Sequence, residues 1–331
     1  MSFDNLRLEK GLYTTGKGFT ASLEELDPSE NYKGTELEGL DAYQRQLKRF
    51  GIKVSGAQSD TVSKFFKTSD SSVLFPEYIS RAVRSGIEQN SVLDKIIATK
   101  TDIDSLDYRS IEITTPRTDM ELADVSEGTF IPETYIKTQN DLVSLKKRGR
   151  MLVASYEAIK FQKLDLFTIM LKKIGETIAS SQMIDAVNVL TSGNVENLYT
   201  ENSDEISYAD LISLWEYFSG ANLTTMLCTS VNAGRILINS EFLDANAGLN
   251  FHATGNLVTP LGAEIVKYDH TEMPNAVIGL DKNYALEMVT AGGVVTDFDK
   301  LIDRQLERAT VSTIAGFSRL MPNTVALLNI S

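Results

Sequence analysis

Apolar residues recur through residues 164–190 at Leu164, Phe167, Leu171, Ile174 and Ile178, then one step out of phase at Ala179, Met183, Ala186 and Leu190. Spacings of three and four predict an amphipathic helix. At 1.5 Å per residue it would be roughly 40 Å long. Ser192 and Gly193 close it, glycine being favoured just past a helix end. Ile169, Met170, Ile184, Val187 and Val189 lie off this stripe, so the helix calls for cover on more than one side.

The rest of the chain is patterned unevenly. Residues 1–72 are polar, with scattered glycines and one helix predicted near 37–50, where Leu40, Tyr43, Leu47 and Phe50 share a face. Residues 55–72, rich in Ser, Thr and Asp, read as a linker, and the whole segment as an arm ordered only when it lies on something else. From Val73 the pattern sharpens. Pro76 suits a first helical turn, Ile79, Val83 and Ile87 share a face, and a break falls near Asn90-Ser91.

Residues 109–115 alternate, with Ile111 and Ile113 on one side, and 138–153 form a second extended run bearing Leu142, Leu145, Met151 and Val153. With Pro116, an acidic stretch and Pro132 between them, they predict a long hairpin with an elaborate tip. It is either two strands of an internal sheet or a loop packed on a neighbour. Ser207 and Asp210 predict a capping box that opens a helix through Leu211, Leu214, Trp215 and Phe218, with Trp215 in the core. Strands are predicted at 225–229, 263–268, 276–280 and 284–289, a short helix at 230–239, and alternation at Ala309, Val311, Ala315 and Phe317. The run 324–330 is a strand buried on both faces. The architecture is mixed α+β.

The chain has 331 residues, 42% hydrophobic and 23% charged, enough for a real core. Its net charge of −13 argues against gripping nucleic acid as the main task. One cysteine, Cys228, cannot form an internal disulfide and reads as a buried small residue. The first ten residues have no apolar core of a signal peptide, and no window approaches the run of about 18 apolar residues that a membrane span requires. Residues 11–18 nearly match a phosphate-binding loop. Gly18 replaces the required hydroxyl residue, no strand precedes the segment and no apolar helix follows it. The two histidines, His252 and His270, are not at metal-ligand spacing, and His270 reads as a surface turn. No nucleophile, base or cofactor motif emerges, so neither a catalytic residue nor a cofactor or metal is expected. The basic cluster Lys146, Lys147, Arg148 and Arg150 reads as a solvated strand face, or as a partner for an acidic surface on another copy.

Four stretches in order resemble the major capsid proteins of tailed bacteriophages, the Hong Kong 97-like family. They are VLFPEYISRAVRSGIEQNSVL from Val73, ADVSEGTFIPE with Glu127, Gly128 and Pro132, SLKKRGRMLVASYEAI leading through Ser155 into the long helix, and PLGAEIVKYDHTEMPNAVIGLDKNYALEMV with Gly262, Met273, Pro274, Asp281 and Tyr284. The resemblance runs over residues 73–331 and implies an arm (1–72), the start of a peripheral domain (73–104), an extended loop (105–150), and the peripheral domain with its spine helix (151–204). An axial domain (205–300) and return strands (301–331) complete it. It implies a structural subunit, not an enzyme, that builds pentamers and hexamers into an icosahedral phage head around double-stranded DNA, without sequence-specific contact. Assembly would occur in the bacterial cytoplasm, away from membrane.

Inter-subunit residues would be Pro116, Met120, Leu122, Glu127, Gly128, Phe130, Ile131, Pro132, Lys146, Lys147 and Arg148 of the loop, and Leu40, Tyr43, Leu47 and Phe50 of the arm. The spine would use Leu164, Phe167, Leu171, Ile174, Ile178, Met183 and Leu190. The partners implied are further copies, a separate scaffolding protein, a portal and decoration proteins. Lys137 and Lys146 match no cross-linking triad. An encapsulin-like nanocompartment shell shares the fold, and a small-molecule α+β enzyme is the reading from another class.

Overall fold

In the computed structural model, residues 4, 6–13, 18–90, 92–105, 107–112, 124–128, 130–131, 137–155, 157, 161–202, 204–243, 258–301 and 306–330 are described. The chain divides into two compact units. One comprises residues 1–90, 148–179 and 293–313, the other 91–147, 180–292 and 314–331.

The first unit gathers α1 (Phe19–Leu26), α2 (Ala42–Arg49), α3 (Ser69–Ser72) and α4 (Phe75–Asn90) onto the N-terminal half of α5 (Leu164–Thr191). Its core joins Phe19, Leu23, Tyr43 and Leu47 to Phe65, Phe75, Ile79 and Val83, and these to Leu164, Leu171 and Ile178. The α4 and α5 backbones touch at glycines. A Cβ on Gly86 would lie 2.2 Å from the Lys172 carbonyl oxygen, and one on Gly175 would lie 2.2 Å from that of Val83. Beside them, β10 (Val295–Leu301) pairs antiparallel with the first part of β11 (Leu306–Arg319). The strand β4 (Lys146–Ser155) also pairs β11.

Here the arm departs from expectation. The described residues of the segment 1–72 do not wait for a neighbour. Leu6, Leu8, Phe19, Leu23, Ile52, Val62 and Phe65 are buried in their own chain. The predicted linker is structured as well. Val62 N donates to the Gln162 carbonyl, and Leu164 N donates to the Asp60 carbonyl, 3.0 and 2.8 Å respectively. The sequence looked coreless because its apolar residues are sparse and unperiodic. They become a core only against α4, the next helix, and α5, which lies far along the chain.

The second unit is built on a five-stranded sheet in the order β5-β12-β8-β6-β7, made of Glu196–Tyr199, Val325–Asn329, Ala276–Leu280, Thr225–Cys228 and Glu264–Lys267. In β12, β8 and β6 alternate side chains enter two cores, which is why these strands read as continuous apolar runs. Leu227, Ile278 and Leu327 join one core, with Met183, Val187 and Leu190 of α5. Met226, Val277 and Leu328 join the other, with Leu211 and Leu214 of α6 (Tyr208–Tyr217) and Ile236 of α7 (Ser230–Leu237). The Ser207–Asp210 capping box is present. In the same unit β1 (Thr99–Asp102) runs parallel to β9 (Leu286–Thr290), which runs antiparallel to the last part of β11. Trp215 is not core. It is 49% exposed, because Leu211 and Leu214 take the inward face of α6.

The phase slip in the α5 pattern coincides with this division. Up to Ile178 the stripe serves the first core, and from Met183 it serves the second.

Candidate interaction surfaces

The predicted hairpin is real at its base. The strand β2 (Ile111–Glu112) pairs antiparallel with β3 (Lys137–Thr138). The second extended run is not one strand, however. It breaks after β3 and resumes as β4, whose partner is β11 rather than β2. The basic cluster therefore opens β4, with Lys147 and Arg150 exposed and Arg148 half-buried. Lys146 bridges to Asp185 at 2.7 Å.

The base is held by a buried carboxylate. Glu287 on β9 is only 4% exposed. It accepts hydrogen bonds from Thr101 Oγ1 at 2.5 Å and Tyr108 Oη at 2.8 Å, and a third from Ser110 Oγ. Burial, reinforced by the Glu287 charge, raises the Tyr108 phenol above its ordinary value. A carboxyl group taken out of water needs hydrogen-bond partners, and three hydroxyls supply them. Gln139 adds a second anchor. Its Nε2 donates to the Arg319 carbonyl, and its Oε1 accepts from Ser318 Oγ, both at 2.9 Å. Beside it lies a cleft of about 470 Å³, lined by residues 139–144, Val189, Ser192, Gly193 and 317–320. Sequence reasoning missed Glu287 and Gln139. The available signal was a lone glutamate inside the apolar run Tyr284–Val289, a position that demands buried donors.

Beyond this base the chain turns apolar and acidic. Phe130 is 100% exposed, Ile131 75% and Val125 37%, with Asp124, Glu127 and Gly128 exposed beside them. Pro116, Met120, Leu122 and Pro132, with Ile113 and His252, lie outside the described residues.

The predicted spine residues face inward. Leu164, Leu171, Ile178, Met183 and Leu190 are buried, and Phe167 and Ile174 partly so. Of the residues off the stripe, Ile184 and Val187 are covered by the chain itself. In the first half of the helix, Leu166, Ile169 and Met170 stay open. The arm quartet is corrected as an intermolecular surface. Tyr43 and Leu47 are buried in the first unit, Phe50 packs against the same core, and Leu40 is half-buried.

Other candidate chemistry stays bare. Residues 10–13 form a 3₁₀ turn, with no strand before it among the described residues. His270 is exposed. Among the described residues no group of three or more His, Cys, Asp or Glu could hold a metal ion, and no helix is long and apolar enough to cross a membrane. Burial pushes the Cys228 thiol up to about 12, which makes it a poor nucleophile.

No protein-family model matches the chain, and no curated protein matches it either. Solved structures do match in fold. The virus-like particle from Pyrococcus furiosus shares 14% identity over 77% of this chain and 99% of that one, with a TM-score of 0.51. The capsid of a native GTA particle shares 12% identity over 76% and 90%, with a TM-score of 0.54. The capsid of Cyanophage P-SCSP1u shares 13% identity over 73% and 88%, with a TM-score of 0.52. The chain has the Hong Kong 97-like capsid fold, in agreement with the resemblance carried by its four sequence stretches.

Proposed function

We propose that this chain is the structural subunit of a closed protein shell, with the phage-head major capsid protein as the leading reading. The observation that carries it is the fold shared with subunits of three particles over most of the length of each. The exposed apolar loop is consistent with a subunit completed by neighbours. In this reading the second unit's central sheet is the axial domain, and α5 is the spine of the peripheral domain. Residues 105–150 are the extended loop that reaches a neighbouring copy. Copies form pentamers and hexamers that close around double-stranded DNA in the bacterial cytoplasm, with a scaffolding protein, a portal and decoration proteins as partners. A nanocompartment shell is the second reading, favoured by the near-complete match to the Pyrococcus subunit.

The test is negative-stain microscopy and sedimentation of the purified chain, alone and with any scaffolding protein that its neighbouring genes encode. Capsomers or closed particles are expected. A chain that stays monomeric at micromolar concentration in both preparations would overturn the proposal. Nuclease-protected DNA inside particles from infected cells distinguishes a phage head from a nanocompartment.

A further inference from the structure

Within the second unit one stretch of strand pairing is left open. The strand β4 begins only at Lys146. Just before it, residues 139–144 make no backbone hydrogen bond to β11 among the described residues. The N–H groups of Gln139 and Val143 point elsewhere, to the carbonyls of Ser110 and Tyr108. The stretch is nevertheless pinned to β11 at both ends. At one end a Cβ on Gly316 would lie 2.6 Å from the Ser144 carbonyl oxygen. At the other, the Gln139 side chain holds Ser318 and Arg319. Between these pins lies the cleft of about 470 Å³, with the C-terminal end of α5 as its third wall. That volume suits a small ligand.

The lining sets the chemistry of that ligand. Leu142, Val189 and Leu320 offer aliphatic surface that the chain covers only in part. Arg319 is the one cation among the lining residues, and it is half-buried. Elsewhere Arg45, Arg81, Arg235 and Arg308 each meet a carboxylate. Arg319 meets none among the described residues. Its Nη1 donates to the Ser192 carbonyl at 3.4 Å, a long bond that leaves most of the five guanidinium donors unused. Gly193 gives it room, since a Cβ there would stand 3.5 Å from Nη2. A guanidinium fork held in this way matches a planar carboxylate. Asp141, exposed in the same lining, disfavours a second negative charge on the ligand.

We infer that this cleft binds an aliphatic monocarboxylate, its carboxylate on Arg319 and its hydrocarbon part on Leu142, Val189 and Leu320. The source is a free carboxylic acid or the carboxy-terminal aliphatic residue of a peptide. Bound there, the ligand joins residues 139–144 to β11 where the backbone ladder does not. Occupancy then stabilises the fold by mass action. The inference is independent of the shell reading, because every lining residue belongs to one unit of one chain.

The experiment is isothermal titration calorimetry and thermal melting of the full chain with N-acetyl-L-leucine and with hexanoate. At least one should bind and raise the melting temperature at about 10 mM, a range in which ligands of this size bind. N-acetyl-L-leucine amide and inorganic phosphate should bind at least tenfold more weakly, the effect of losing charge-assisted hydrogen bonds or hydrocarbon contact. Tighter binding of N-acetyl-L-leucine than of hexanoate indicates a peptide terminus, and the reverse a free acid. Arg319→Gln should weaken binding roughly tenfold and Arg319→Lys less, because lysine keeps the charge and loses the fork. Leu142→Ser should weaken it roughly fivefold through lost apolar contact. Asp141→Asn should tighten it, and Arg308→Gln on the other unit should leave it unchanged. Arg319 also caps the end of α5, so the unliganded melting temperature of each variant is recorded. An arginine that only caps would lower that temperature and leave binding untouched. Leu142 is 49% exposed, so its variant tests the cleft without disturbing a core. No binding of either acid, equal binding of the amide or phosphate, or affinity unmoved by both Arg319→Gln and Leu142→Ser would overturn the inference.

Discussion

Gly86 and Gly175 set how closely α4 and α5 approach. Neither has a positive φ, so their role is space rather than backbone freedom. A methyl at either place would meet a backbone carbonyl, which cannot rotate away as a side-chain end could. The helices would have to part, opening the packing among Phe75, Ile79, Val83 and Leu171 behind them. Overpacking of this kind costs about 1–3 kcal/mol, against the slight gain alanine otherwise brings to a helix interior. Gly175→Ala is expected to lower the melting temperature by at least about 2 °C, and Gly86→Ala likewise. Thermal unfolding by circular dichroism checks this. An unchanged or raised melting temperature would mean that the crossing is looser than its distances indicate.

The arm shows how an element of low apolar content is held. Arg45 on α2 is fully buried. Its Nε meets Asp27 Oδ2 at 2.9 Å, its Nη1 donates to the Leu40 carbonyl at 2.6 Å, and the Tyr32 ring lies 4.4 Å from its guanidinium. A second hub docks the arm on α4. Arg81 reaches Asp41 at 2.8 Å and Glu77 at 3.0 Å, and its guanidinium stands 4.4 Å over the Tyr43 ring. Removing one member of a buried pair costs more than the pair itself contributes, because the other charge is stranded. Arg45→Ala would strand Asp27, which is 1% exposed, at a cost of about 3–5 kcal/mol. The expected outcome is faster protease cleavage within residues 1–50, with a fragment that retains α4. Cleavage at the parent rate would show that the apolar contacts of Phe19 and Leu23 hold the arm unaided.

For the whole molecule, the extended loop divides stability from assembly. Its base belongs to the second unit through Glu287, Gln139 and the Lys146–Asp185 bridge. Its exposed residues Val125, Phe130 and Ile131 add little to either core. Replacing residues 116–132 with a short Gly/Ser turn should therefore leave the melting temperature close to that of the parent, since loop length changes closure entropy only slowly. The same variant should not build particles. Each large apolar side chain removed from a contact forfeits roughly 1.5–3 kcal/mol if fully covered there. Calorimetry and light scattering on one preparation read both outcomes. A variant that melts far below the parent would put the tip inside a core. One that still assembles would remove the loop as the clasp.

Periodicity is a local property, and by itself it determined much of this chain. It marked the long helix and its end at Gly193, the Ser207 cap, the buried strands that split their side chains between two cores, and the inert setting of Cys228. The phase slip after Ile178 even marked where α5 changes cores. Only tertiary structure decided what depends on partners distant in the chain. It buried Tyr43 and Leu47, because α4 and α5 supply the apolar surface the arm lacks. It left Trp215 half open, because two leucines already filled the inward face of α6. It gave β4 to β11 rather than to the hairpin, because strand pairing can join segments far apart in the sequence. And it made Glu287 an anchor, because its donors come from residues 101–110, on segments brought alongside β9 only by folding.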